Sequence, residues 1–223
     1  MKPRVFAAAT DRPRLRGLYV ITSAATDDTA ALIHKVTQAL AGGAALIQYR
    51  DKSTDTARRL AEARALQNLC RNYQVPLIIN DDVALARATQ AQGVHLGAED
   101  AAVGDARQQL GRAAIIGVSC YNNLSRAQAA AEAGADYIAF GRFFPSRTKP
   151  QAVIASVELL RAARAELSIP LVAIGGITPD NAAPLLAAGA DMLAVVEGIF
   201  GAEDAQSAAR RYTHLFEQQE SLS

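Results

Sequence analysis

The sequence predicts an α/β chain folded as a single closed (β/α)8 barrel, the TIM-barrel architecture. Three observations carry this. Short apolar, β-branched runs alternate with longer stretches in helical register eight times over, and strict β-α alternation implies a parallel sheet. The length, 223 residues, suits one barrel of eight such units. Two sequence echoes fall where a helix turns into a strand: Glu132-Ala133-Gly134-Ala135-Asp136 resembles Ala187-Ala188-Gly189-Ala190-Asp191, and Val75-Pro76-Leu77-Ile78 resembles Ile169-Pro170-Leu171-Val172. Such echoes fit a repeated unit, although their spacing is too irregular for a solenoid. No stretch reads as an interdomain linker. The expected organisation is a poorly ordered leader over 1–16 followed by the barrel over 17–223.

The first strand is expected over 17–22. Thr26, Asp27 and Asp28 offer N-cap oxygens to a helix that carries Leu32, Ile33, Val36 and Leu40 on one face and stops at Gly42-Gly43. The second strand covers 44–49, and a long helix covers 54–73 with Leu66, Leu69, Cys70 and Tyr73 on one stripe. Strand three, 77–80, leads to a short helix over 83–89, and strand four, 93–97, to a helix over 103–110. Strand five, 114–118, leads to a helix over 124–133, and strand six covers 136–140. A long loop, 141–152, precedes a helix over 154–166. Strand seven is 170–174, the next helix 179–188 and strand eight 192–196. The last helix, 204–216, sets Ala205, Ala208, Ala209, Tyr212 and Phe216 in register.

Composition narrows the function classes. Hydrophobic residues make up 50% of the chain, which excludes disorder for most of it. The formal net charge is +1 with scattered basic residues, unlike the footprint of a nucleic-acid binder, and the few aromatic residues offer no stacking platform. The one dense basic stretch is the leader, with Lys2, Arg4, Arg12, Arg14 and Arg16, whose apolar part is too short for a signal-peptide core. No apolar run is long enough to cross a membrane. Cys70 and Cys120 make neither a disulfide framework nor a zinc site. Both read as small buried hydrophobes, and a cytoplasmic location is expected. A homo-oligomer is compatible with the sequence.

In such a barrel the site forms at the C-terminal strand ends. The most telling stretch is Pro76-Leu77-Ile78-Ile79-Asn80-Asp81-Asp82, a core strand that breaks into one amide and two carboxylates. Magnesium favours one or two carboxylates, several waters and phosphate oxygens. Asp81, with Asp100 from the next strand end, meets that requirement. Asp82 also suits capping the helix that follows, and Glu99 a solvated loop. Strand two ends in Gln48-Tyr49-Arg50-Asp51-Lys52. Alternation sets Gln48 and Arg50 on one side. If that side is inward, an amide and a guanidinium face the mouth and Lys52 adds a cation, a set suited to phosphate. Taken alone, the same stretch reads equally well as a solvated charged turn.

Ser119, at the end of strand five, can donate to a phosphate oxygen or cap the next helix. No histidine is placed to activate it, so a serine nucleophile is rejected. His34 and His214 fall in helices, and His95 reads as a hydrogen-bonded core residue of strand four. The 141–152 loop is long enough to be a lid. Within it Ser146 and Thr148 are two apart and could share one anion, with Lys149 adding charge. Barrel phosphate sites form after strands seven and eight. Gly175-Gly176-Ile177 and the Val196-Glu197-Gly198 turn stand there, although paired glycines also mark a tight turn needing positive φ. Two anion sites and one hard-metal site, without an acid-base-nucleophile triad, suit a reaction in which diphosphate leaves and a neutral nucleophile needs no deprotonation.

Six blocks in order resemble the thiamine-phosphate synthase family, over about residues 17–200: Gln48-Tyr49-Arg50-Asp51-Lys52, Asn80-Asp81-Asp82, Gly93-Val94-His95-Leu96-Gly97-Ala98-Glu99-Asp100, Gly117-Val118-Ser119, Ser146-Arg147-Thr148-Lys149 and Gly175-Gly176-Ile177. Each is weak alone; together, each at a strand end, they are specific. The resemblance implies a transferase of thiamine biosynthesis that joins hydroxymethylpyrimidine diphosphate to hydroxyethylthiazole phosphate and releases diphosphate. It implies that Gln48, Tyr49, Arg50, Asp51, Lys52 and Asn80 hold the pyrimidine diphosphate, with Ser119 and Lys149 on the leaving group. Arg50, Lys52, Ser119 and Lys149 would be catalytic, and Asp81 and Asp100 would bind Mg2+. Ser146, Thr148, Gly176, Val196 and Glu197 would hold the thiazole phosphate. The implied mechanism is dissociative: diphosphate departs, a pyrimidinylmethyl cation stabilised by the ring amine remains, and the thiazole nitrogen attacks with its own lone pair. Two positions depart from the family pattern. Ser146 replaces the usual threonine and keeps the hydroxyl. Glu197 replaces a common serine, so either backbone N–H groups alone make the phosphate contact or Glu197 points away.

Three alternatives remain at this point. A thiazole tautomerase paralogue would share the barrel but need neither the acid pair nor the Gln48-to-Lys52 block. A catalytically idle barrel could bind thiazole phosphate as a sensor. Another phosphate-binding barrel enzyme, such as a sugar-phosphate epimerase, would explain Gly175-Gly176 but not a second anion site.

Overall fold

Eight parallel strands close on themselves in sequence order, the last pairing with the first. The computed structural model describes residues 15–23, 28–97, 99–145 and 153–220. The strands are β1 (Gly17–Ile21), β2 (Leu46–Tyr49), β3 (Leu77–Asn80), β4 (Gly93–Leu96), β5 (Ile115–Tyr121), β6 (Tyr137–Gly141), β7 (Leu171–Ile174) and β8 (Met192–Val195). The helices are α1 (Thr29–Ala41), α2 (Thr56–Tyr73), α3 (Val83–Thr89), α4 (Val103–Leu110), α5 (Leu124–Glu132), α6 (Val157–Glu166), α7 (Ala183–Ala187), α8 (Glu197–Phe200) and α9 (Ala205–Glu220). The predicted barrel is therefore the observed one.

Local chemistry explains most boundaries. Asp28 caps α1, accepting from the Ala30 N–H at 2.8 Å, while Thr26 and Asp27 lie outside the described residues. Asp82 caps α3, accepting from the Leu85 N–H at 2.8 Å, so the capping reading of this residue is the observed one. Several elements differ from expectation, among them α6, which starts at Val157, and α9, which runs on to Glu220. The helix expected over 179–188 shrinks to α7, because Asn181 Oδ1 accepts from the Thr178 N–H at 2.9 Å and holds 178–181 in a turn. A four-residue helix, α8, follows β8 where none was expected. β5 runs on to Tyr121, with a register shift against β6 between Ser119 and Tyr121, and Tyr121 has a left-handed φ of 55°.

Alternation along the strands divides the core in two. Outward-facing Leu18, Val20, Ile47, Tyr49, Leu77 and Ile79 pack under the helices with Leu66, Cys70, Leu160 and Tyr212. Inward-facing Tyr19, Leu46, Ile78, Ile115, Tyr137 and Met192 fill the barrel. Cys70 and Cys120 are both buried, and burial pushes their thiols up to about 12 and about 11. They are packing residues, as expected.

Candidate active site

The C-terminal strand ends enclose a cavity of about 420 Å³, within the size range of small-molecule sites. Gln48, Arg50, Asn80, Ser119, Gly176, Val196 and Glu197 line it, with Ile21, Val172 and Ile174 among its apolar walls. Candidates from β2, β3, β5, β7 and β8 thus meet in one place.

Along β2 the alternation is physical. Gln48 and Arg50 face the cavity; the residues between and beyond them do not. Tyr49 turns outward and donates to Glu62 Oε2 at 2.7 Å. Asp51 accepts from Arg58 at 2.9 Å and from the Ser53 N–H at 2.7 Å. Both were expected among the substrate contacts, and both instead grip the N-terminal part of α2. A strand cannot send consecutive side chains to one face. Burial would raise the Asp51 carboxyl, but the Ser53 and Arg58 hydrogen bonds outweigh it and hold it below the usual carboxylate range.

Asp81 and Asp100 meet at the rim beside Asn80 rather than in the cavity lining. Burial pushes Asp81 above the usual carboxylate range, the hydrogen-bonded Asp100 carboxyl adds to that, and Lys52 opposes it. Lys52 Nζ stands 3.4 Å from Asp81 Oδ2. Asp100 Oδ2 accepts from the Gly97 N–H at 2.5 Å. Asp81 is held at a left-handed φ of 63°, and its N–H donates to the His95 carbonyl at 2.8 Å. A non-glycine residue in that region costs about 1–3 kcal/mol and persists where the surroundings impose it. No group of three or more His, Cys, Asp or Glu able to hold a metal occurs among the described residues. Two like charges pressed together at the rim suit a hard cation that takes its other ligands from water and phosphate.

Ser119 overturns one expectation. His95 Nε2 lies 2.8 Å from Ser119 Oγ, and His95 Nδ1 lies 3.0 Å from the Tyr137 hydroxyl. A histidine does stand beside this serine, one strand away and 24 residues distant. Sequence adjacency hid the pairing; His95 and Gly117 are register partners on β4 and β5, which puts Ser119 within reach. His95 is also the buried, hydrogen-bonded core residue that was expected, 8% exposed.

Gly175 and Gly176 have φ of 102° and 65°. A methyl group on Gly176 would sit 2.3 Å from the Pro145 carbonyl, and one on Gly175 2.3 Å from Arg142 Cβ. The pair is required by the close approach of the 142–145 segment. At Glu197 the side chain runs back along α8, its Oε1 2.7 Å from where a Gly201 methyl would stand. Glu197 lines the cavity, and its carboxylate lies along its own helix. Ser146, Thr148 and Lys149 lie outside the described residues.

Several lining residues escaped sequence reasoning. Tyr19, Tyr121, Arg142 and Thr178 all face the cavity. The Tyr121 hydroxyl also reaches the Asp100 corner, 3.8 Å from where a Gly97 methyl would stand. Arg126 of α5 donates to the Ser119 and Gly97 carbonyls at 2.9 and 3.0 Å, tying the ends of β4 and β5 together. An arginine inside a helical stripe carries no signal of such a role.

A closed parallel barrel with polar groups converging on its C-terminal mouth defines a (β/α)8 enzyme. The family model described as thiamine monophosphate synthase (TMP-TENI) matches residues 18–199. The chain is 54% identical over 202 residues to the thiamine-phosphate synthase of Nitrosococcus oceani, covering 91% of this chain and 93% of that one. It is 55% identical over 203 residues to that of Azoarcus sp., covering 91% and 98%. Among solved structures, the thiamine phosphate pyrophosphorylase from Pyrococcus furiosus is similar with a TM-score of 0.84 at 35% identity, covering 93% of this chain and 98% of that one. The chain belongs to the thiamine monophosphate synthase family.

Proposed function

We propose that this protein joins hydroxymethylpyrimidine diphosphate to hydroxyethylthiazole phosphate, giving thiamine phosphate and diphosphate. Family membership over 18–199 supports the reaction. The observation that carries the chemistry is the Asp81–Asp100 carboxyl pair beside Lys52, at the rim of a cavity lined by Gln48, Arg50, Asn80 and Ser119.

Asp81 and Asp100 fit magnesium, and when bound it would supply Lewis-acid neutralisation of the diphosphate. The chain's own groups do the rest. Arg50 and Lys52 neutralise the departing charge, and Ser119 donates to a phosphate oxygen. Gln48 and Asn80 orient the pyrimidine ring. Ile21, Val172 and Ile174 keep water from the pyrimidinylmethyl cation. Gly176, Val196 and the Glu197 backbone face the thiazole phosphate, with Ser146, Thr148 and Lys149 completing the two anion sites. The thiazole nitrogen attacks with its own lone pair, so no base is required. Holding both substrates in line supplies much of the acceleration.

One incubation tests this: purified protein with both substrates, with magnesium or with a chelator. Thiamine phosphate and diphosphate should accumulate in equal amounts, only with the metal. Absence of product in magnesium would end the functional reading. Undiminished product in chelator would end the metal assignment and leave the reaction standing.

A further inference from the structure

Five polar side chains from five strands cross the barrel just under its mouth. Gln48 Nε2 lies 2.5 Å from the Tyr19 hydroxyl, and Tyr19 lies 2.7 Å from the Tyr137 hydroxyl. Tyr137 in turn lies 3.0 Å from His95 Nδ1, and His95 Nε2 lies 2.8 Å from Ser119 Oγ. Gln48 and Ser119 at the two ends line the cavity, as Tyr19 and His95 do between them, while Tyr137 is fully buried and does not.

The chain has a place built for it. A methyl group on Gly117 would stand 1.9 Å from Tyr137 Cζ, so the missing side chain on β5 makes room for the ring. Tyr137 stacks on His95 with ring centroids 5.6 Å apart and meets Tyr19 edge-on at 5.8 Å. Burial raises both phenols well above their ordinary range, so each keeps its single proton.

Counting protons gives the chain a direction. An amide nitrogen only donates, so Tyr19 accepts from Gln48 and has its own proton for Tyr137. Tyr137 then has its proton for His95 Nδ1. A neutral imidazole that accepts at Nδ1 carries its proton on Nε2, and donates it to Ser119 Oγ. The Ser119 proton is thereby turned away from His95 and towards the mouth, while Gln48 keeps its carbonyl oxygen free of Tyr19. Turning the Gln48 amide over reverses every link. Ser119 would then donate back to His95, and Gln48 would offer only N–H groups to the cavity. Setting one end without the other would leave a hydroxyl proton, such as that of Tyr19, with no acceptor in the chain, at the cost of a lost buried hydrogen bond.

We infer that Tyr19, Tyr137 and His95 are positioning residues that lock the two halves of the pyrimidine diphosphate site into one donor–acceptor pattern. A phosphate oxygen at Ser119 needs a donor there, which selects the direction that leaves the Gln48 carbonyl as an acceptor. The ring group read by Gln48 is then a donor, such as an amine, and a ring bearing a carbonyl at that position is disfavoured while diphosphate is bound. This rests on the substrate reading of the preceding section.

Two measurements test it on the intact protein. In the first, the His95 imidazole nitrogens are observed by 15N NMR with inorganic diphosphate and magnesium present. The Nε2–H tautomer is expected; the Nδ1–H tautomer would overturn the inference. This experiment needs no turnover, so it reads the chain even if the substrate reading fails. In the second, the kcat/KM ratio for the aminopyrimidine diphosphate over its oxo analogue is compared between wild type and Tyr137→Phe, so that intrinsic reactivity cancels. The ratio is expected to fall at least roughly tenfold in the variant, since breaking one link frees Gln48 from Ser119. A ratio unchanged within about twofold would overturn the inference. If Tyr137→Phe does not fold, the tautomer decides alone. Failure of wild type to turn over the aminopyrimidine substrate would count against the substrate reading and not against the chain.

Discussion

Tyr49 and Glu62 share a 2.7 Å hydrogen bond on the outer side of β2, back to back with the cavity-facing Gln48 and Arg50. Thr29 donates to the other Glu62 oxygen, also at 2.7 Å, so a carboxylate only 3% exposed is held by hydroxyls from two elements. Burial first, and then Glu62, raise the Tyr49 phenol and keep it a donor. With Asp51 clasped by Arg58, the segment that presents Arg50 and Lys52 is pinned from behind by the residues that alternate with them.

Tyr49→Phe should therefore be a stability variant. Removing the hydroxyl leaves a buried carboxylate oxygen without its phenol partner, a loss of about 1–3 kcal/mol. For a chain of this size that is a melting temperature lower by roughly 2–10 °C. The KM for the pyrimidine diphosphate should move by less than about threefold, because Tyr49 is outside the cavity. A KM rise above about tenfold with unchanged melting would return Tyr49 to the substrate contacts.

Asp81→Asn separates function from stability. Burial and Asp100 raise the Asp81 carboxyl in the folded state, so folding takes up protons there. Its contribution favours the folded protein most below the ordinary aspartate value and is lost as pH rises through the raised one. The Lys52 pair, 60% and 31% exposed, is too well solvated to offset this. Asparagine keeps the shape, tolerates the left-handed φ and removes the like charge. Without metal, the variant should gain stability on wild type as pH rises above the ordinary aspartate value of about 4. Magnesium should raise the melting temperature of wild type and leave the variant unmoved, while turnover falls about a hundredfold or more. An equal magnesium-induced shift in both proteins would remove Asp81 from the metal site.

The barrel was readable because its units announce themselves locally, in apolar runs, caps such as Asp28 and Asp82 and stops such as Gly42-Gly43, although α2 and α3 end on left-handed Gln74 and Gln90. Asp28, Asp82 and Gly42 behave as their residue types suggest. The cavity lining was legible as far as the strand ends reach: Gln48 and Arg50 from β2, Asn80 from β3 and Gly176 after β7. What could not be read were contacts that exist only because the sheet closes. His95 meets Ser119 and Tyr137 through register across β4, β5 and β6, and no spacing along the chain encodes that. Nor does a helical arginine signal that Arg126 will tie two strand ends. Tyr49 and Asp51 fall outside the cavity lining because the residues of their block alternate between two faces.

Gly176→Ala should damage one half of the site only. A methyl there meets the Pro145 carbonyl at 2.3 Å, and alanine at φ 65° is strained by about 1–2 kcal/mol before any clash. The 142–145 segment must move, and with it the approach to the thiazole phosphate. The melting temperature should fall by roughly 3–8 °C, and the KM for thiazole phosphate should rise about tenfold or more, with that for the pyrimidine diphosphate within about threefold. Equal rises in both would show that the two anion sites share this turn.

The Ala-Gly-Ala-Asp echo makes a prediction that neither copy would make alone. Asp136 Oδ2 accepts from the Ile116 N–H at 2.8 Å and from Arg107 at 2.6 Å. Asp191 Oδ2 accepts from the Leu171 N–H at 2.8 Å and from Arg164 at 2.9 Å. In each copy a glycine with positive φ, Gly134 or Gly189, ends the helix two residues earlier. Each aspartate therefore stitches its strand to the start of the preceding one, at the end of the barrel away from the site. The settings differ in burial: the Asp136 side chain is 8% exposed and that of Asp191 29%. Loss of a charged acceptor costs more where water cannot replace it, so Asp136→Ala should cost about 2–4 kcal/mol and Asp191→Ala about 1–2 kcal/mol by urea unfolding. No residue recurs among the partners just named for the two aspartates, so the double variant should lose the sum within about 0.5 kcal/mol. Turnover per folded molecule should stay within about twofold throughout, because neither residue approaches the mouth. Equal costs at the two positions would mean that strand stitching, rather than charge burial, sets the energy of this repeated corner.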